Sequence, residues 1–189
     1  DGRWLASAGW DKTVRLWDLA TGAEQAVLTG HTGEVSAVAF SPDGRRLASG
    51  AWDRTVAVWD ADSGARLLEL TGYSGGVRSV AFSPDGRRLA SGAGDNTVAV
   101  WDTDSGARLL ELTGHSGGVR SVAFSPDGRR LASGAWDQTV AVWDAASGQR
   151  LATLALDGLI ASVAWHPDGR SLAVGDGGGN VYLLEYRER

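Results

Sequence analysis

The sequence predicts an all-β chain built from tandem four-stranded antiparallel meanders, and three observations carry that prediction. A Trp-Asp pair returns as Trp17-Asp18, Trp59-Asp60, Trp101-Asp102 and Trp143-Asp144, each 42 residues after the last. A fixed period of that length marks one supersecondary unit copied in tandem, each copy burying its apolar faces only when a neighbour stacks on it. Within each period, short runs of alternating apolar residues are separated by turn residues, the pattern of strands and hairpins. Glycine or proline interrupts every stretch long enough for a helix, and β-branched and aromatic residues dominate the remainder.

The unit from Gly30 to Thr71 shows the order of elements. Val35-Ser36-Ala37-Val38-Ala39-Phe40 alternates large apolar with small residues and reads as a first strand packed on both faces. Ser41-Pro42-Asp43-Gly44 supplies proline early in a turn and glycine where φ must be positive. Arg46 to Ala51 is then a second strand, Trp52-Asp53-Arg54 a short turn, and Thr55 to Asp60 a third strand. A polar turn at Asp62-Ser63-Gly64 leads into a fourth, Arg66 to Leu70. The same reading applies to 72–113 and 114–155, and the first two of these units agree at roughly four positions in five. Residues 1–29 hold three strands of an incomplete unit, and 156–189 a degenerate terminal one with a single-residue deletion, ending in a third strand at Val181 to Tyr186. Eighteen strands are expected in all.

Gly30-His31, Ser41-Pro42-Asp43-Gly44, Leu47-Ala48-Ser49-Gly50, Asp53 and Val58-Trp59-Asp60 recur in register, and in that order and spacing they resemble the WD40 family of β-propellers along essentially the whole chain. The resemblance implies sheets set radially as blades around a channel, here a partial or open ring of about 4.5 blades. It also implies a hydrogen-bonded group in each blade, linking His31, Ser49, Asp53 and Trp59 in one unit and His115, Ser133, Asp137 and Trp143 in another. Tyr73 replaces the histidine in the unit of Ser91, Asp95 and Trp101, and Val174, Gly178 and Leu184 stand at three of the four positions in the last unit, so those two blades are expected to lack the full network.

A seven-bladed ring of such units needs about 294 residues. The chain begins at Asp1 and contains no methionine, and its expected setting is the C-terminal part of a longer propeller. Open blade edges left by an incomplete ring invite self-association. Arginine supplies nearly all the basic residues, with Lys12 the only lysine, which reads as the coding bias of a GC-rich, bacterial genome. The net charge of −5 argues against nucleic acid as a partner. No apolar run reaches the roughly 18 residues that cross a bilayer. The absence of cysteine excludes disulfides and thiolate metal sites and fits the cytoplasm.

Ser49, His31 and Asp53 are the residue types of an acyl-transfer triad, but the trio recurs from blade to blade in strand sequence, which favours buried hydrogen bonding over catalysis. Asp102-Thr103-Asp104-Ser105-Gly106 lacks the distal glutamate of a calcium loop, and Gly175-Asp176-Gly177-Gly178-Gly179 precedes a strand, so neither a metal nor a phosphate site is expected and no cofactor is implied. The paired arginines at 45–46, 87–88 and 129–130 read as a solvated ring on one face. His166, at the position of a turn serine, reads as solvated. On the opposite face, Trp10, Trp52 and Trp136 precede the turn aspartates, and Arg54, Arg78 and Arg120 lie close by in the same turns and first strands. Tryptophan and arginine dominate binding hot spots. The expected function is a non-catalytic scaffold binding a protein or peptide on that rim face. The alternative is the ligand-sensing C-terminal propeller of a larger bacterial signalling ATPase, kinase or protease.

Overall fold

The computed structural model describes residues 2–186, and all eighteen of its elements are strands. They form five antiparallel sheets. The first contains β1 (Trp4–Ala8), β2 (Val14–Asp18) and β3 (Glu24–Leu28). The second contains β4 (Val35–Phe40), β5 (Arg46–Ala51), β6 (Val56–Asp60) and β7 (Arg66–Leu70). The third contains β8 (Val77–Phe82), β9 (Arg88–Ala93), β10 (Val98–Asp102) and β11 (Arg108–Leu112). The fourth contains β12 (Val119–Phe124), β13 (Arg130–Ala135), β14 (Thr139–Asp144) and β15 (Arg150–Ala155), and the fifth β16 (Ile160–Trp165), β17 (Ser171–Asp176) and β18 (Val181–Glu185). Every sheet is a meander, and the inner strands β4, β8, β12 and β16 stand side by side. The blades form an open arc of a propeller. No helix long and apolar enough to cross a membrane occurs among the described residues.

Strand limits follow side-chain chemistry. The third strand of the second sheet begins at Val56, one residue after the Thr55 whose N–H and hydroxyl both donate to Asp53 Oδ1, at 3.1 and 2.7 Å. The register between third and fourth strands slips at Val58/Trp59, Val100/Trp101 and Val142/Trp143. Such a bulge re-aims the side chain at the irregularity, and here it sits at each tryptophan of the buried network.

The core lies between sheets. Val14, Leu16 and Leu28 of the first sheet pack with Val35, Leu47 and Trp59 of the second, and Ala48, Val56, Val58 and Leu70 of the second pack with Val77, Val80, Leu89 and Trp101 of the third. Val98, Val100 and Leu112 then meet Val119, Val122 and Trp143, and Ala132 and Val140 meet Ile160, Val163 and Leu172. Burying a valine or leucine completely is worth about 1.5–3 kcal/mol. Val98 and Val100 are 0% exposed, whereas their counterparts on the uncovered face of the last sheet, Val181 and Leu183, are 75% and 82% exposed.

Polar contacts tie the same neighbours. Arg46 Nη1 donates to the Thr103 carbonyl and Nη2 to Asp104, both at 2.7 Å. Arg88 donates to the Ala145 and Gly128 carbonyls at 2.6 and 2.7 Å, and Arg130 to the Gly169 carbonyl at 3.4 Å. One arginine of each hairpin pair is therefore a staple to the next sheet, which corrects the expected solvated ring. The staple satisfies carbonyls of turns far along the chain that a single unit does not contain.

The second-strand glycines Gly50, Gly92 and Gly134 make the close approach of sheets possible. A Cβ on Gly92 would lie 2.6 Å from Val119 Cγ1 and 3.1 Å from Val122 Cγ1, whereas one on Gly175, at the uncovered end, meets nothing within 4 Å. Gly92→Ala is expected to lower stability by about 1–3 kcal/mol through overpacking. Gly175→Ala is expected to leave it within about 0.5 kcal/mol. Urea unfolding of the two variants beside the parent measures the difference.

Candidate interaction surface

Each sheet offers the same turn to the rim. In the second sheet the turn between β5 and β6 carries Trp52, Asp53 and Arg54, and the Trp52 N–H donates to the Glu34 carbonyl at 2.8 Å, bringing that turn against the loop that enters β4. Arg54, Asn96 and Gln138 occupy equivalent turn positions with φ of 70, 73 and 65°.

Beneath the turn lies the buried network. The Trp59 indole N–H donates to Ser49 Oγ at 2.8 Å, Ser49 Oγ meets His31 Nε2 at 2.8 Å, and His31 Nδ1 donates to Asp53 Oδ2 at 2.9 Å. The relay from Trp143 through Ser133 and His115 to Asp137 repeats it at 2.8, 2.7 and 3.0 Å. Since the indole only donates and a carboxylate only accepts, a neutral imidazole completes each chain with no donor left over. Ser49 and Ser133 are 0% exposed, so neither hydroxyl is presented to a substrate. Burial opposes ionisation of Asp53 and Asp137. Donors from Thr55, the Thr32 N–H and His31, and from Thr139, the Ser116 N–H and His115, outweigh it and hold both carboxyls below the usual carboxylate range.

The third sheet departs from this pattern less than its sequence predicts. Tyr73 Oη lies 2.5 Å from Ser91 Oγ and accepts the Trp101 N–H at 2.8 Å, so the phenol restores the inner half of the relay. Asp95 binds the Ser74 N–H and Thr97 instead. The last sheet uses a different device. Asp176 accepts from the Gly178 and Asn180 N–H groups, the Asn180 amide and the Tyr182 hydroxyl. Sequence reasoning missed it because Asp176 stands two positions before Gly178, at the place of the alanines that end the other second strands. His166 is exposed and lies 3.0 Å from Asp168.

Above the network, the rim residues from three sheets meet. Gly94 holds the position that Trp52 and Trp136 hold in their units, and the missing side chain lets Arg78 lie across it, with Nη2 3.3 Å and Nε 3.4 Å from where a Gly94 Cβ would be. The Arg78 guanidinium carbon stands 3.8 Å from the Trp136 ring centre and 5.4 Å from that of Trp52. Arg120 stands 5.9 Å from the Trp136 ring. Trp52 leans over Gly76 of the next sheet, yet it remains 52% exposed and Trp136 44%. Thus the structure gathers Trp52, Arg78, Arg120 and Trp136 into one cluster. Trp10, on the first sheet, is 82% exposed, and Arg54 is exposed beside Trp52. Among the described residues no group of three or more His, Asp or Glu is placed to hold a metal ion.

A family model described as "WD domain, G-beta repeat" matches residues 1–18, 22–60, 64–102, 106–144 and 148–183. Each of the three central segments spans the last strand of one sheet and the first three of the next. Among curated proteins, the chain is similar to Coronin-7 of Mus musculus, 54% identical over 39 residues, which is 21% of this chain and 4% of that protein. It is similar to small ribosomal subunit protein RACK1 of Neurospora crassa, 46% identical over 39 residues, covering 21% of this chain and 12% of that protein. MST50-interacting protein 11 of Pyricularia oryzae is 44% identical over 39 residues, again 21% of this chain and 12% of that protein. The aligned stretches therefore cover one repeat's length and a small part of each relative. These relatives are eukaryotic and lend no support to a bacterial source.

Asp137→Asn is expected to destabilise the chain at neutral pH by about 1–3 kcal/mol, since it weakens a buried acceptor that holds several donors. The folded carboxyl titrates below its unfolded value, so its contribution is complete above about pH 4 and disappears as pH falls through the lower folded value. Urea midpoints for parent and variant should converge as pH is lowered from 7 toward 3.

Proposed function

The chain belongs to the WD domain, G-beta repeat family, the WD40 repeats, and from that premise we propose that it is a non-catalytic scaffold holding a protein or peptide on the rim face. WD40 domains are typically protein-interaction scaffolds. The observation that carries the rim assignment is the cluster of Trp52, Arg78, Arg120 and Trp136, large aromatic and guanidinium groups left partly open to solvent where three sheets meet. Exposed tryptophan in that setting is costly in water and suited to a desolvating partner.

Comparison of units 30–71 and 72–113 adds support. Of the eight positions that differ between them, seven fall within residues 31–37 and the turn 52–54, on or under the rim, and the eighth is Ala61 against Thr103. The remaining positions are identical even where they are exposed, as at Leu67 and Glu69, which points to recent duplication, and in this pair of units the later changes concentrate at the rim. Names of relatives point the same way: one is called for its interaction with another protein and one for a place in the small ribosomal subunit. The chain spans a small fraction of those relatives, and its own partner is identified by selection.

A second reading concerns the uncovered end. Val181 and Leu183 occupy positions that are buried in every preceding complete sheet, and their exposure favours association of the chain with another copy through this face.

Two outcomes are expected. Peptides selected from a random display library on the intact chain should lose at least about tenfold in affinity when Trp52 and Trp136 are both replaced by alanine, with the β-sheet circular dichroism unchanged. Retained affinity would remove the rim assignment. In light scattering, the parent should show concentration-dependent mass that Leu183→Glu abolishes; a monodisperse parent would remove the second reading.

A further inference from the structure

The rim cluster contains an electrostatic imbalance that names a class of ligand. Arg78 Nε and Nη1 are buried and have no hydrogen-bond partner. Some exposed guanidinium groups find carboxylates, Arg15 with Asp11 and Glu24, Arg66 with Glu69, and Arg108 with Glu111, all at 2.7–2.9 Å, and others stand in water, but Arg78 is withdrawn from water without a partner. Neither Arg78 nor Arg120 makes an ion pair among the described residues. Burial, and then the neighbouring Arg120 cation, push the Arg78 pKa below its usual value, although a guanidinium remains charged throughout the physiological range.

Such an arrangement is unfavourable in the free chain. A buried donor without an acceptor forfeits its hydration with nothing in return, and the loss is greater when the donor is charged. Stacking on Trp136 returns part of this as cation–π attraction, which orients the guanidinium but accepts no N–H. The chain as a whole carries a net charge of −5, yet this part of the rim sets two cations next to each other, one of them with buried, unpartnered N–H groups. What is missing is a planar anion with two oxygen acceptors, and a carboxylate matches the guanidinium fork at charge-assisted distances. The indoles of Trp52 and Trp136 flank this position with apolar surface suited to the methylenes and backbone of an extended peptide.

We propose that Arg78 and Arg120, both beside the Trp136 ring, form a subsite for an aspartate or glutamate side chain of a bound acidic peptide. The carboxylate draws the Arg78 guanidinium off the Trp136 face and occupies the donors that are empty in the free chain. Arg120 supplies the second charge. Ser36, at the position of Arg78 in the preceding unit, donates instead to the Val77 carbonyl, so the subsite occurs once in that pair of units.

This inference rests on the rim-face reading and is separable from it. The probes are peptides selected on the parent chain, each synthesised with its acidic residues intact and with Glu→Gln or Asp→Asn replacements, and read by fluorescence anisotropy. Acidic residues should be enriched in the selected set. Replacing the critical one should weaken binding to the parent by about tenfold or more and to Arg78→Gln or Arg120→Gln by less than about twofold, a coupling typical of close charge pairs. Arg120→Gln, an exposed change, guards against loss of fold. Peptides that need Trp52 and Trp136 but show no acidic enrichment, or an equal penalty on parent and arginine variants, overturn the subsite and leave the scaffold reading standing. Peptides indifferent to the tryptophans overturn both.

Discussion

Face-to-face packing of successive sheets is the constraint on which the rest of the molecule depends. A four-stranded meander of about forty residues has two apolar faces and too little volume to hide either, so it gains its stabilisation from the sheet before it and the sheet after it. The fit is close at one position per unit. The second-strand glycine receives two branched side chains of the next inner strand, Val77 and Val80 on Gly50, Val119 and Val122 on Gly92, Ile160 and Val163 on Gly134. Arginine staples act at the other end of each contact, where Arg46 and Arg88 reach carbonyls of the following sheet. Sheets held from both sides lose their valines wholly to the interior, and the last sheet, held from one, leaves Val181 and Leu183 in water.

The rim cluster is a product of that packing and not of any single unit. Arg78 comes from the third sheet, Trp52 from the second and Trp136 from the fourth, and they meet because each inner strand is set against the next. Gly94 is the decisive difference from an exact repeat. Had it been tryptophan, as in the units on either side, its indole would fill the space through which Arg78 reaches Trp136. The rim cluster therefore depends on departures from the repeat, whereas cohesion depends on its fidelity.

Much of this was legible in the sequence because it is local or periodic. The count of strands and the hairpin at Ser41-Pro42-Asp43-Gly44 follow from spacing within one unit, whereas the partners of His31 and His115 were implied only by the resemblance to the WD40 family. What escaped reading involves contacts between units or substitutions that act through shape. The Arg46 and Arg88 staples join residues 57 or 58 positions apart, a distance that no motif encodes. Tyr73 looked like a lost histidine, yet its longer side chain brings a hydroxyl to Ser91 and Trp101. The rim set was named by residue type, but which members touch depended on Gly94. Among the described residues Trp10 and Arg54 make no such stacking contact, and the unit after Trp10 carries Ser36 where the later units carry Arg78 and Arg120.

Hydrogen–deuterium exchange resolved by strand tests the central claim most directly, since amide protection reports local opening free energy. If cohesion arises from neighbours on both faces, amides of β5, β6, β9 and β10 should exchange slowest and those of β17 and β18 markedly faster, although all belong to regular antiparallel ladders. Equal protection across these strands, or the greatest protection in the last sheet, would contradict the account.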